Sequence, residues 1–194
     1  MNKRRFLAAG ALGALLPFPA AAACVKERPG SGLLTITGAI GRSNRGPIDP
    51  AFEPLMAKHG AKFDKAWTFD AAMLARLPSV TIAPTLEYDA QIHRLSGPLL
   101  ATVVEAAGVA ADAPVVLSLR AVDGYTVAVK LADARAYRMI VATSRDGVPM
   151  SLGGLGPLWA VYDADRLPAF SAKPLKERFA LCPWGLYAID VKAL

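Results

Sequence analysis

A chain of 194 residues that is 54% hydrophobic and only 20% charged has enough apolar content for one domain with a substantial core, which excludes a disordered segment. Its formal net charge of +6 is spread along the sequence without Lys/Arg clusters interleaved with aromatics, so nucleic-acid binding is excluded as the leading class. Two cysteines, Cys24 and Cys182, and two histidines, His59 and His93, are too few and too scattered for a structural zinc site.

In chain order, residues 1–23 have a basic start at Lys3, Arg4 and Arg5 and an apolar run broken by Pro17 and Pro19. Small residues then precede Cys24. This layout predicts an export signal, too short for a spanning helix, followed by one domain over residues 24–194 in the periplasm. The arginine pair leaves twin-arginine and ordinary secretion both open, and the sequence before Cys24 is a weak lipobox, with an unlipidated N-terminus preferred.

LLTITGAI (33–40) reads as a strand. Asp49-Pro50 or Glu53-Pro54 opens a short helix stopped by Gly60, after a loop crowded by Arg42, Asn44 and Arg45. Thr68 is the expected cap of a second helix, FDAAMLARL, ended by Pro78. SVTIAPTLEY (79–88) is an expected strand or strand plus bend, which Pro84 places at an edge or a bulge. Residues 96–109 carry the clearest helical pattern, with Ser96 as cap, Pro98 in the first turn and Gly108 at the end. Leu99, Val103, Ala106 and Ala107 form its expected apolar face.

VVLSLRA and YTVAVKL flank Val122-Asp123-Gly124 and predict a hairpin, because Asp and Gly accept the positive φ that a tight turn demands. A short helix, LADARAY, precedes RMIVATS. A second Asp-Gly turn follows at Asp146-Gly147, and then an aromatic strand in GPLWAVY. KPLKERF predicts a brief helix, and LCPWGLYAIDV a closing strand. The expected class is α+β, with mixed β-sheets and short helices packed around them. Standard hydrolase, zincin and P-loop signatures are absent, and the glycines at 153, 154 and 156 lack the strand-then-helix setting of a dinucleotide loop.

The ordered set TITGAI (35–40), LSGPLL (95–100), EAAGV (105–109), RAVDGY (120–125), ATSRDG (142–147) and GPLWAVY (156–162) resembles the molybdopterin-binding oxidoreductase domain with the sulfite-oxidase-like fold. That resemblance implies a single sulfite-oxidase-like domain. It also implies a metal-ligating cysteine between an early strand and the helix matching residues 96–109. Residues 81–97 contain no cysteine, and a soft anionic thiolate is what such a site uses, so the departure argues against molybdenum. Cys182 lies outside the family's ligand position and reads as a small buried hydrophobe.

Short exported members without the ligand resemble periplasmic pterin-binding proteins that signal through a membrane partner. The implied function is therefore a non-catalytic pterin-binding module working with the periplasmic domain of a membrane signalling protein. An active molybdopterin-dependent oxidoreductase and a ligand-free protein-interaction module stay open as alternatives.

A pterin site needs an aromatic slot and a few convergent polar groups. Trp159 is the first candidate for stacking, with Tyr125 and Tyr162 beside it in sequence pattern. Arg120 and Arg145 flank the Asp-Gly turns and suit ring oxygens or a phosphate tail. Asp123 and Asp146 suit the amino edge, although turn formation already accounts for both. The resemblance brings the loops of Arg42, Asn44 and His93 toward the pocket, and Gly156 permits close backbone approach. For each, packing or plain surface exposure is the competing explanation.

Overall fold

The computed structural model describes residues 30–194, so the expected export signal over residues 1–23 and Cys24 lie outside the described residues. In chain order the elements are β1 (Leu34–Gly38), α1 (Pro54–Lys58), β2 (Trp67–Phe69), α2 (Ala71–Ala75), β3 (Ser79–Ile82), β4 (Leu95–Pro98), α3 (Leu100–Ala106), β5 (Val115–Ala121), β6 (Thr126–Lys130), α4 (Leu131–Ala136), β7 (Ile140–Ala142), β8 (Ser144–Arg145), β9 (Val148–Pro149), β10 (Trp159–Val161), α5 (Pro168–Ser171) and β11 (Leu186–Ala193). This is a mixed α+β architecture of several sheets and short helices, as the composition and turn pattern predict. Among the described residues, no helix is long and apolar enough to cross a membrane.

The largest sheet has the order β2-β1-β11-β5-β6, with β1 and β11 parallel and the other pairs antiparallel. Strand β5 shows why it forms. Val115, Leu117, Leu119 and Ala121 are buried, whereas Val116, Ser118 and Arg120 on the other face are only partly covered. Burying each large apolar side chain stabilises the sheet by about 1.5–3 kcal/mol, and strand alternation places them all on one side. The β5–β6 turn falls at Val122-Asp123-Gly124 as expected: Gly124 has φ of 92°, and the Asp123 side chain accepts the Tyr125 N–H at 2.9 Å.

The stretch from β5 to β10 does not stay in one sheet. β5 and β6 belong to the largest sheet, β7 pairs with β10, and the β8–β9 hairpin at Asp146-Gly147 extends a sheet of order β3-β4-β8-β9. Ile140, Val141, Ala142, Trp159, Ala160 and Val161 are all buried, so β7 and β10 run through the core with both faces covered.

Two expected helix starts are corrected. Residues 95–98 are strand β4, not the first turn of a helix: they pair with β3 and β8, and a Cβ on Gly97 would lie 1.9 Å from the Val141 carbonyl oxygen. Tertiary pairing overrides the Ser-Gly-Pro capping pattern, and α3 begins at Leu100 without a side-chain cap. Its buried face is centred on Leu100, Val103, Val104 and Ala107, with Leu99 and Ala106 at its margin. In α2 the cap is Asp70, which accepts the Met73 N–H at 2.7 Å, whereas Thr68 lies inside β2. Strand β3 is an edge strand, and α1 stops before Gly60 at φ of 71°, both as the sequence indicates.

Candidate aromatic cleft

At the β5–β6 turn a cleft of about 290 Å³ opens among residues 87–88, the turn itself and residues 176–184. Its aromatic content is high. Tyr88 is 58% exposed, Tyr125 49% and Trp184 37%, and the buried rings of Trp159 and Phe179 form the wall behind them.

Each side chain is held from its own element. Leu86 is 2% exposed and anchors a small loop through its N–H to the Gln91 carbonyl at 2.9 Å, which leaves Glu87 and Tyr88 facing the cleft. The Thr85 N–H donates to Asp165 at 2.7 Å and Arg178 pairs with the same carboxylate at 2.8 Å, tying that loop to the 165–178 segment. Tyr125 donates its hydroxyl to the Ala180 carbonyl at 2.8 Å. Residues 183–186 are stitched to 155–160 by backbone bonds from Ala160 to Pro183, Gly185 to Leu155 and Leu186 to Leu158, so Trp184 sits beside Trp159.

The polar groups at the cleft are Glu87, Asp123 and Lys176. The Tyr88 hydroxyl is raised above its ordinary range, first by desolvation of its inner end and then by the Glu87 carboxylate. Cys182 also borders the cleft. Burial pushes its thiol up to about 12, so at neutral pH it is protonated. Among the described residues no group of three His, Cys, Asp or Glu side chains converges as a metal ligand set. The lining is thus aromatic, with Glu87, Asp123 and Lys176 as its charged side chains and Cys182 as its thiol.

The structure brings together only part of the expected site. Tyr125, Trp159 and Asp123 meet at the cleft. Trp159 is a wall and not an open stacking platform: it is 1% exposed, its indole N–H donates to the Cys182 carbonyl at 2.8 Å, and its ring packs 5.9 Å from Phe179. Tyr162 is wholly buried, stacked 4.4 Å from Phe170, with its hydroxyl donating to the Arg178 carbonyl.

The remaining candidates lie elsewhere. Arg120 projects from the opposite face of β5 and donates to the His59 carbonyl. Arg145 is exposed on β8, its guanidinium 4.0 Å from Asp146. Asp146 is a turn residue with φ of 52°; its carboxylate accepts the Arg94 N–H at 2.8 Å and holds His93 at 2.6 Å. His93 is bonded at its other nitrogen to Asp89 at 2.8 Å, and these carboxylates raise its pKa, Asp146 more than Asp89. Asn44 clamps β2 by exchanging bonds of 2.8 Å with both backbone groups of Thr68. Arg42 is exposed and fixed by its backbone N–H to Ala107. Gly156 lets the chain pass close to the Met150 carbonyl, which a Cβ would meet at 2.3 Å, so its close approach is to protein backbone.

Glu87, Tyr88, Lys176, Phe179 and Trp184 are site residues that sequence patterning did not single out. Pro183-Trp184-Gly185 carried a turn signal inside the expected closing strand, and β11 does begin only after it, at Leu186.

No protein-family model matches the chain, and no curated protein matches it.

Proposed function

We propose that the chain is an exported, non-catalytic pterin-binding module of the sulfite-oxidase-like fold, acting in the periplasm and reporting ligand to the periplasmic domain of a membrane signalling protein. The observation that carries the ligand assignment is the cleft itself: three exposed aromatic side chains surround two carboxylates, beside the cysteine-free segment of residues 81–97.

The chemistry matches on both counts. A pterin ring is flat and offers π-faces to Tyr88, Tyr125 and Trp184. Its amino-pyrimidinone edge presents adjacent N–H donors, which a carboxylate accepts pairwise, and Glu87 and Asp123 are the carboxylates at hand. Lys176 suits the ring carbonyl oxygen. The mixed sheets and the ordered sequence words are what support the fold assignment.

The test is fluorescence titration with a tetrahydropterin, together with mass spectrometry of small molecules released from protein isolated from its native compartment. One pterin per chain, weakened by Trp184→Ala, is the expected result. Stoichiometric molybdenum by elemental analysis, or no saturable pterin binding, overturns the reading.

A further inference from the structure

The outer face of the largest sheet carries a second cavity, of about 300 Å³, on the other side of β5 from the aromatic cleft. Ala121 borders the cleft, whereas Arg120 and Ser118 border this cavity.

Its shape follows from strand register. Thr35, Ala188 and Arg120 stand in one cross-strand row, and Thr37, Asp190 and Ser118 in the next. On the core face the row Ile36, Ile189 and Leu119 is filled and fully buried. On the outer face Ala188 supplies one methyl group where a larger side chain would close the sheet against its cover, and the missing bulk is the cavity. The cover is the segment of Met56, Lys62 and Phe63, which includes α1, a helix with no buried residue. Polar latches hold it down: Arg120 donates to the His59 carbonyl, His59 Nδ1 lies 2.7 Å from the Tyr187 hydroxyl, and Arg45 grips Glu53 with two bonds of 2.6 Å.

The uncommitted groups have one character. Asp190 is the carboxylate at the cavity, and it is already engaged by the Thr37 hydroxyl at 3.0 Å and by Lys192 at 3.6 Å. Arg120 donates to the His59 carbonyl and also faces the Tyr187 hydroxyl, and a guanidinium carries five N–H donors, so some remain for a ligand. Lys62 and Ser118 make no side-chain hydrogen bond or ion pair among the described residues. What is left is donors and positive charge, from Arg120 on the floor and Lys62 on the cover. A ligand satisfying them is anionic, rich in acceptors and small enough for a cavity at the lower end of ligand-site volumes.

We propose that this cavity binds a small organic phosphate, with Arg120 and Lys62 on the phosphate and the Ser118 hydroxyl on its oxygen-bearing carbon skeleton. The site is independent of the pterin cleft and stands or falls without it.

The experiment is titration of the full chain with glycerol 3-phosphate, and with glycerol as the uncharged control, followed by calorimetry and by amide chemical shifts. Saturable one-to-one binding is expected for the phosphate alone, with shifts at Ser118, Arg120 and Ala188. Arg120→Gln weakens it about tenfold or more, the loss of a charge-assisted bond. Ala188→Leu fills the cavity while keeping every charge, so it abolishes binding, whereas diffuse attraction to a basic surface survives that change. Lys62→Gln, an exposed change on the cover, weakens binding about threefold to tenfold and remains informative where the sheet substitutions unfold the chain. No saturation at millimolar glycerol 3-phosphate overturns the proposal. So does affinity that is unweakened in a folded Ala188→Leu or in Lys62→Gln.

Discussion

The aromatic cleft and the outer cavity lie on opposite sides of β5 and have nearly the same volume, about 290 and 300 Å³, yet they are lined by different chemistry. The cleft pairs exposed rings with the carboxylates of Glu87 and Asp123, so it favours a flat molecule with N–H donors on its edge. The cavity pairs hydroxyls with Arg120 and Lys62 and has its carboxylate already occupied, so it favours an anion rich in acceptors. Volume does not distinguish them. The charged groups lining each do, and β5 touches both because its alternate residues face opposite ways: Ala121 borders the cleft, Ser118 and Arg120 the cavity.

The largest effect expected from breaking this comparison is at the wall behind the cleft. Trp159→Ala removes a 1%-exposed ring from the core and is expected to cost about 3–5 kcal/mol of stability, measured by urea denaturation. Ligand loss in that variant accordingly tracks unfolding and does not report on the cleft. Across β5 the two faces separate cleanly: Leu119→Ala is expected to destabilise by about 2–5 kcal/mol, and the adjacent Ser118→Ala by no more than about 0.5 kcal/mol. Equal costs at the two positions would show that the outer face is packed as tightly as the core.

Trp184→Ala sharpens the cleft side. Removing a partly exposed ring is expected to weaken tetrahydropterin binding by about 1–3 kcal/mol with little change in unfolding midpoint. A midpoint shift as large as that of Trp159→Ala would instead make Trp184 a packing residue.

The smallest effect belongs to His93, which borders neither cavity and serves as the outside reference. Its pKa is raised by Asp146 and Asp89, so its contribution to stability is full below about pH 6.5 and is lost as pH rises through the higher folded value. The pKa values of Asp89 and Asp146 are lowered, chiefly by His93, so their contribution holds above about pH 3.9 and fades as pH falls through the folded values. His93→Gln should therefore lower the thermal midpoint more at pH 5.5 than at pH 9, and a difference that grows with pH contradicts the clamp.

The two Asp-Gly turns explain why the site was only partly legible in sequence. Both were readable as turns, because Gly124, Asp146 and Gly147 need positive φ and the residue types say so. Which turn would border a cleft was not readable: Asp123 meets Tyr88 and Trp184, which lie 35 residues before and 61 after it in numbering, whereas Asp146 is consumed by Arg94 and His93. Arg120 and Tyr125 looked equivalent as neighbours of one turn, and the pleat sends them to different faces.

Local propensity and alternation, by themselves, determined the α+β class, the β5–β6 hairpin and the edge position of β3, because these depend on residues within a few positions of one another. Long-range pairing decided the rest. It turned the Ser96 cap into strand β4, placed Trp159 behind Trp184, and set Ala188 between Thr35 and Arg120 to leave a hole. Contacts between residues far apart in sequence depend on register and packing, and no local pattern carries either.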